Sequence, residues 1–513
     1  MRRMTGPHSH GISFDETVRG LVKGSPWWMI SLVVHAVALF VLYNLDLDAR
    51  GAAQTARVQA VLPEEPLPPE EQPLPKQPPE TPPIEPVVDP DVIDDDPETA
   101  GEETDVPFHE PMGDEGRSEG PMLSAWDNVA IGLDGRPGGG PKGSGGPGNG
   151  ARRAAPKEYT DAVELGLEWL AKHQDVGGGG MWDCDDFMKH DPVDDRCDGP
   201  GKAHYDPGVS GLALLAFLGA GYTDRGDERS NRFARNVRNG LRYLKTIQDE
   251  EGCFGPRSSQ HFIYNHAIAT LAMCEAYWMT RNPAYRMPAQ QGLSFTAMAR
   301  NPYLAWRYNI RGGENDTSVT GWCVMAIKSG KFAGLDVDVE AFDGARLWIE
   351  KMTDPDTGRV GYLQTGGGAA RPEGMQDRFP AEMTESMTAA GILTRIFLGE
   401  DPGKSDPIRK GVDLCLRRLP SWNPQNGSID MYYWYYATLA LFQVGGEPWR
   451  RWNQAMQPAM VSSQHPRGSG RKAGSWDPID PWGPDGGRVY STAVMVTCLE
   501  VFYRYDRVFN YSR

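Results

Sequence analysis

At 513 residues, with 24% charged residues and a formal net charge of −17, the chain is long enough for two or three average domains. The charge is concentrated: residues 63–127 hold twenty Asp/Glu against Lys76 and Arg117, a net of −18, so the acidity belongs to one stretch and says little about what the rest binds. No basic stripe with interleaved aromatics appears, which argues against a nucleic-acid partner, and seven cysteines are too few for a disulfide scaffold.

In chain order, residues 1–26 are polar and carry Arg2, Arg3, Arg19 and Lys23. Residues 27–45 (WWMISLVVHAVALFVLYNL) contain no Asp, Glu, Lys or Arg. At 1.5 Å per residue they make roughly 28 Å of helix, enough for a bilayer core, with Trp27, Trp28 and Tyr43 at interfacial depth. Basic residues before the span and Asp46 and Asp48 after it place the N-terminus in the cytoplasm and the rest outside. Both the polar lead and the apolar run are long for a cleaved signal peptide. The predicted location is therefore an inner (cytoplasmic) membrane, crossed once, with the larger part of the chain in the periplasm.

His35 sits mid-span, where an ionisable group is costly without a partner, and Ser31 lies one turn earlier on the same face. The bland alternative is a neutral His35 bonded to a neighbouring carbonyl or packed in a homodimer. This Ser-x-x-x-His in one N-terminal span, followed by a Pro/Glu-rich tether, resembles the TonB family of energy transducers. The resemblance covers residues 27 to roughly 90. It implies the membrane and ExbB/ExbD-type motor proteins as partners, contacted through Ser31 and His35.

Residues 46–153 read as a disordered linker. Within it, residues 63–90 are dominated by Pro and Glu and predict a polyproline-II rod of roughly 90 Å. The glycine-rich stretch 132–150 lacks the Gly-Lys-Ser/Thr ending of a phosphate loop and reads as a flexible spacer.

Residues 154–513 form the folded domain. Six apolar helical segments share a small residue at Gly211, Ala269, Gly321, Ala389, Ala437 and Ala493, 48 to 68 residues apart, each preceded by an amphipathic helix and a Gly/Pro/Asp-rich loop. The predicted fold class is all-α: a six-hairpin α/α toroid (α6–α6 barrel), apolar helices inside and amphipathic ones outside, preceded by one transmembrane helix and the linker. The loops carry a motif. Gly240, Tyr243, Leu244, Gln248, Gly252 and Phe254 form one copy. Gly166, Trp169, Leu170, Gln174, Gly180 and Trp182 form a second, and Gln464 with Gly474 and Trp476 a degenerate third. The glutamine amide is expected to satisfy end carbonyls of the outer helix, with glycine turning the chain and the aromatic packing back on the hairpin. The motif resembles the repeat of the squalene cyclase and protein prenyltransferase superfamily over about 345 residues, which implies the toroid fold but not a function.

Three chemistries can be weighed. Residues 183–186 (DCDD) match the Asp-x-Asp-Asp with which the related cyclases protonate substrate, with Asp185 central, but the crowded loop favours solvated carboxylates. A zinc site from Cys184, Cys197, His190 and His204 lacks any Cys-x-x-Cys or His-x-x-x-His pair, so no cofactor is expected and zinc is only a minor reading. Outside the cytoplasm a Cys184–Cys197 disulfide is the leading expectation, with free buried thiols the alternative. Cys274, Cys323, Cys415 and Cys498 read as small core residues. Cys253 lacks the context of a thioester.

In a ring of hairpins the inner helices run the same way and their N-termini share one mouth. That mouth is predicted to gather Asp206, Asn265, His266, Asp316, Thr317, Glu385, Tyr432, Tyr433, Tyr435 and Arg488, with simple N-capping the alternative for Asp206 and Asp316. Aromatics and mixed charge suit a peptide or saccharide. The leading functional expectation is a non-catalytic binding or scaffold module on a membrane tether. The alternative is an envelope hydrolase or lyase using His266, Asp316 and Glu385. A terpenoid cyclase or prenyltransferase comes third.

Overall fold

The computed structural model describes His35, residues 156–226 and residues 229–504. Residues 27–45 other than His35, including Ser31, and the linker 46–153 lie outside the described residues; His35 itself is helical. No helix among the described residues is long and apolar enough to cross a membrane. The chain divides into two units, residues 1–103 and 104–513, and the helices below all belong to the second.

Among the described residues, twelve long α-helices alternate in character. The outer set is α1 (Lys157–Lys172), α3 (Ala234–Ile247), α5 (Pro283–Ala299), α7 (Glu340–Met352), α9 (Asp406–Cys415) and α11 (Gly446–Met456). Each buries one face, as Val237, Gly240, Leu241 and Leu244 do in α3, and leaves charges on the other. The inner set is α2 (Asp206–Gly219), α4 (Phe262–Thr280), α6 (Thr317–Phe332), α8 (Ser386–Phe397), α10 (Met431–Val444) and α12 (Gly483–Leu499). These are buried on nearly every side, because each touches two inner neighbours and at least one outer helix. The inner helices pack in the order α2, α4, α6, α8, α10, α12, and α12 returns to α2, which closes the ring. The α/α toroid expected from the superfamily resemblance is the fold the chain adopts. No strand forms among the described residues; two isolated bridges, Gln248 with Phe254 and Thr353 with Val360, pin motif loops.

The motif bonds within its own loop and across to the next repeat. Gln248 Nε2 donates to Gly252 O (3.1 Å) in its own loop and to Pro288 O (2.9 Å) on the next outer helix. Gln174 likewise joins Gly180 O to Asn236 O on α3, and Gln464 joins Gly474 O to Ala162 O on α1. The aromatic then seats on a glycine of that next helix. A Cβ on Gly240 would stand 2.7 Å from Trp182, one on Gly292 2.8 Å from Phe254, and one on Gly166 3.3 Å from Trp476. The indoles also donate backward, Trp182 to Leu170 O (2.8 Å) and Trp476 to Met460 O (2.7 Å). A further copy escapes the sequence pattern because Asn301 stands for glutamine: Trp306 donates to Thr296 O at 2.8 Å, and Asn301 bonds the Glu314 carbonyl. The seam between last and first repeats is thus made with the same parts as the joints within the ring.

Candidate functional site

Residues at the N-terminal ends of α2, α4, α6, α10 and α12, with loop residues 258–261, Tyr308, Tyr362 and 370–373, line a cavity of about 920 Å³. The inner helices therefore do share a mouth. Its floor is apolar (Val209, Leu212, Ile268, Trp322), and its walls are aromatic: Tyr205, Tyr264, Tyr308, Tyr362, Tyr432, Tyr490 and Trp482. The charged lining residues balance, Lys202 and Arg371 against Asp485 and Glu373.

The hydroxyls form three short chains. Tyr205 OH lies 3.0 Å from His261 Nδ1 and 3.4 Å from Asp485 Oδ2, while Lys202 Nζ holds Asp485 Oδ1 at 2.5 Å. Burial lowers the His261 pKa, favouring the neutral ring. Tyr264 OH donates to Ser318 Oγ (2.7 Å), which lies 2.6 Å from Tyr432 OH. The hydroxyls of Tyr308 and Tyr362 touch, and Tyr362 OH donates to Asp316 Oδ2 at 3.3 Å. From the lining, Arg371 reaches to 3.1 Å from the Asp430 carboxylate that caps α10. Asp480 accepts from Tyr490 OH and Met431 N–H, both at 3.1 Å, and burial pushes its carboxyl up to about 7. The Trp482 indole N–H is buried without an acceptor among the described residues.

Of the ten residues predicted for the mouth, Asn265 and Tyr432 line the cavity, whereas Asp206, His266, Asp316, Thr317, Glu385, Tyr433, Tyr435 and Arg488 do not. Asp206 turns away and accepts the Cys184 N–H at 2.8 Å, with its carboxyl pushed up to about 7 by burial, reinforced by Asp183 and Asp185. His266 faces outward. Its Nδ1 accepts the Phe254 N–H (3.2 Å) and its Nε2 lies 2.9 Å from Thr296 Oγ1, and burial pushes its pKa down to about 3. It fills a recurring structural place: Ser210, Thr320, Thr388 and Thr492 accept the same motif N–H from Trp182, Trp306, Val360 and Trp476. Glu385 is clamped by Arg359 (2.6 Å) and receives the Thr388 hydroxyl at 2.9 Å. Tyr433 OH donates outward to Cys415 O at 3.0 Å. Arg488 is buried at the seam, donating to Asp198 O (2.9 Å), Ser475 Oγ (3.1 Å) and Asp477 Oδ1 (2.7 Å). Hence His266, Asp316 and Glu385 do not converge on a shared point.

Asp316 is the N-cap of α6, accepting the Val319 N–H at 2.7 Å, and is fully buried. Burial raises its pKa to about 7. Between about pH 4 and 7 the folded chain therefore holds a proton that the unfolded chain has released, and stability falls as pH rises through that window. Asn caps as well as Asp but does not titrate. Urea unfolding of Asp316→Asn and the parent is expected to show the variant gaining on the parent by up to ~1.4 kcal/mol per pH unit between those limits. Parallel pH curves would show that Asp316 stays ionised.

Asp185 is exposed and does not line the cavity, and its neighbour Asp183 is held by Lys189 at 3.0 Å. The disulfide expected between Cys184 and Cys197 is not made: both thiols are free and buried. Cys184 Sγ points to the carbonyls of Asp485 (3.3 Å) and Gly486 (3.2 Å), whereas Cys197 Sγ lies 3.5 Å from His173 Nε2. His190 sits 3.4 Å from Asp175, and His204 packs on Tyr205, so the four residues weighed for zinc do not assemble. Cys274, Cys323, Cys415 and Cys498 are core residues, as expected.

No family profile matches the chain, and no curated protein matches it. Among solved structures it is similar to an inactive variant of an α-1,6-mannanase of Salegentibacter sp. in complex with α-1,6-mannotriose: 10% identity, 67% of this chain and 99% of that one, TM-score 0.44. It is also similar to the type II terpene cyclase MstE from Scytonema (12%, 68% and 98%, TM-score 0.41) and to a protein from Actinoplanes (14%, 67% and 98%, TM-score 0.40). By its own geometry the second unit is an α/α toroid with an aromatic, charge-balanced cavity at the N-terminal mouth of its inner ring.

Proposed function

We propose that the toroid is a binding module whose cavity takes a neutral oligosaccharide. The observation that carries this is the lining: flat aromatic faces from Trp482 and six tyrosines, interleaved with paired hydroxyls, around a cavity whose formal charges cancel. Aromatic faces suit the C–H faces of sugar rings, and the hydroxyl chains suit their O–H groups. A polyanion or a strongly charged peptide would leave Lys202–Asp485 and Arg371–Asp430 uncompensated on one side.

A hydrolase or lyase acting on the same saccharide is the second reading. It is favoured by two carboxylates, Asp485 and Glu373, lining one cavity with His261. One experiment separates the two. The full-length chain is screened against neutral and acidic glycans, and bound glycans are then incubated and assayed for new reducing ends. Retention of neutral glycans without cleavage supports the module; cleavage lost in Asp485→Asn supports the enzyme. Binding confined to acidic glycans would end both readings.

We also propose that residues 27–45 hold the toroid outside the cytoplasm and couple it, through Ser31 and His35, to an ExbB/ExbD-type motor. Motor subunits should co-purify with the parent chain and not with His35→Asn; equal recovery with both would remove the coupling.

A further inference from the structure

Away from the cavity, at the end of α1, three side chains of different chemistry meet. His173 Nε2 lies 3.3 Å from Asp191 Oδ1 and 3.5 Å from Cys197 Sγ, and one ligand atom from each residue falls within 4.8 Å of the others. All three residues are buried. His173 Nδ1 lies 2.8 Å from Trp169 O, an atom that can only accept, so Nδ1 carries the proton and, in the neutral ring, Nε2 presents a lone pair. A lone pair facing a carboxylate oxygen at 3.3 Å is repulsive unless a positive centre stands between them.

We propose that His173, Asp191 and Cys197 bind one divalent cation of the zinc type. Tetrahedral zinc with bonds of about 2.0 Å to nitrogen and oxygen and about 2.3 Å to sulfur sets N···O at ~3.3 Å and N···S at ~3.5 Å. The separations here are 3.3 and 3.5 Å. The donor set is one that zinc accepts, and a thiolate with a carboxylate offsets a doubly charged ion, the carboxylate also facing Arg471 Nε at 3.8 Å. Binding releases the Cys197 thiol proton to solvent. The supporting shell is in place: the Trp169 carbonyl fixes the imidazole tautomer, the Cys197 N–H holds Asp191 Oδ2 at 3.0 Å, and the ring stacks on Trp169 at 4.1 Å with Phe187 at its edge.

The site has a structural consequence. The loop it fixes runs to the seam of the ring, where Asp195 accepts the Arg471 N–H (3.1 Å), Asp198 pairs with Lys472 (2.6 Å) and Trp169 Nε1 donates to Arg471 O (2.9 Å). A bound ion therefore ties the end of α1 to the segment that meets the last repeat.

The test uses the full-length chain stripped with chelator and titrated with cobalt(II). One equivalent should bind, with a thiolate-to-cobalt charge-transfer band and the d–d absorption of a tetrahedral site, both lost on adding zinc. Cys197→Ser should lose that band, Asp191→Asn should keep it but bind at least about tenfold more weakly, and Cys184→Ser should match the parent. Zinc at a hundredfold excess over its Kd should raise the midpoint of thermal unfolding by about 4 °C. X-ray absorption of the zinc form should show a single sulfur at about 2.3 Å among lighter ligands, a readout that needs no variant. A folded parent chain that develops no charge-transfer band, a zinc form with no sulfur or more than one, or a band that survives Cys197→Ser would overturn the site.

Discussion

Replacing Trp476 with alanine is expected to lower the unfolding free energy by about 4 kcal/mol and to make the seam of the ring the first place cut by protease. The magnitude follows from what a large buried aromatic loses on truncation, with a hydrogen bond in addition. Trp476 is fully buried and its indole donates to Met460 O at 2.7 Å. It seats on Gly166 of α1, where a Cβ would stand 3.3 Å from its ring and 2.5 Å from Val496. At an interior joint, losing the aromatic leaves the two repeats covalently continuous. At the seam the partners are about 300 residues apart in sequence (Gln464 to Ala162 is 302), so only noncovalent contacts hold the ring shut. Once these weaken, α1 can peel from α12 and α2 without the rest unfolding. Trp182→Ala, at a joint within the chain, should cost a similar free energy without singling out the seam for cleavage. Thermal unfolding with limited proteolysis of both variants makes the comparison. A Trp476→Ala protein within about 1 kcal/mol of the parent, or one cut no earlier at 462–475, would show that the ring does not depend on this joint.

The ring itself was legible because its signals are local and repeated. The small residues Gly211, Ala269, Gly321, Ala389, Ala437 and Ala493 all fall on inner helices, and the motif residues fall at the outer-helix ends. Most of the lining of the cavity was not legible, for a specific reason. An outer helix such as α3 advertises its buried face through period 3.6, so sequence fixes its azimuth. An inner helix such as α2 or α10 is buried on almost every side, so no periodic signal marks which residues face the hole. The inner helix ends share the predicted mouth and Asn265 and Tyr432 line it, but four of the other predicted residues sit one position from a lining residue: Asp206 beside Tyr205, His266 beside Asn265, Thr317 beside Ser318, Tyr433 beside Tyr432. One residue is about 100° of rotation, enough to turn a side chain from the cavity to the outer layer. The His173–Asp191–Cys197 cluster was hidden differently. Its spacing matches no short metal motif, and only the path of the 191–197 loop brings the three together.

Trp482→Ala is expected to weaken saccharide binding about a hundredfold while leaving the fold nearly as stable as before. The two effects separate because Trp482 is only half-buried, resting on Tyr432 with ring centroids 5.7 Å apart, and lines the cavity rather than the inter-helix core. Aromatic residues at binding sites commonly carry 2 kcal/mol or more of affinity, which is on the order of thirtyfold or above. Here a second contribution adds to the stacking. The indole N–H is buried with no acceptor among the described residues, and a sugar hydroxyl supplying one would recover a desolvation cost of about 1–3 kcal/mol. Trp482→Phe divides these contributions, since it keeps an aromatic face and removes the donor; about a tenfold loss is expected of it. Tyr433→Phe is the control. Its hydroxyl donates away from the cavity to Cys415 O, so its loss should cost some stability and no affinity. Calorimetric titration of the three variants with whichever neutral glycan the parent retains reads all of this directly. Equal affinity in Trp482→Ala and the parent would move the binding surface off the inner mouth. Weaker binding in Tyr433→Phe than in Trp482→Phe would show that the outer layer, not the cavity wall, governs the interaction.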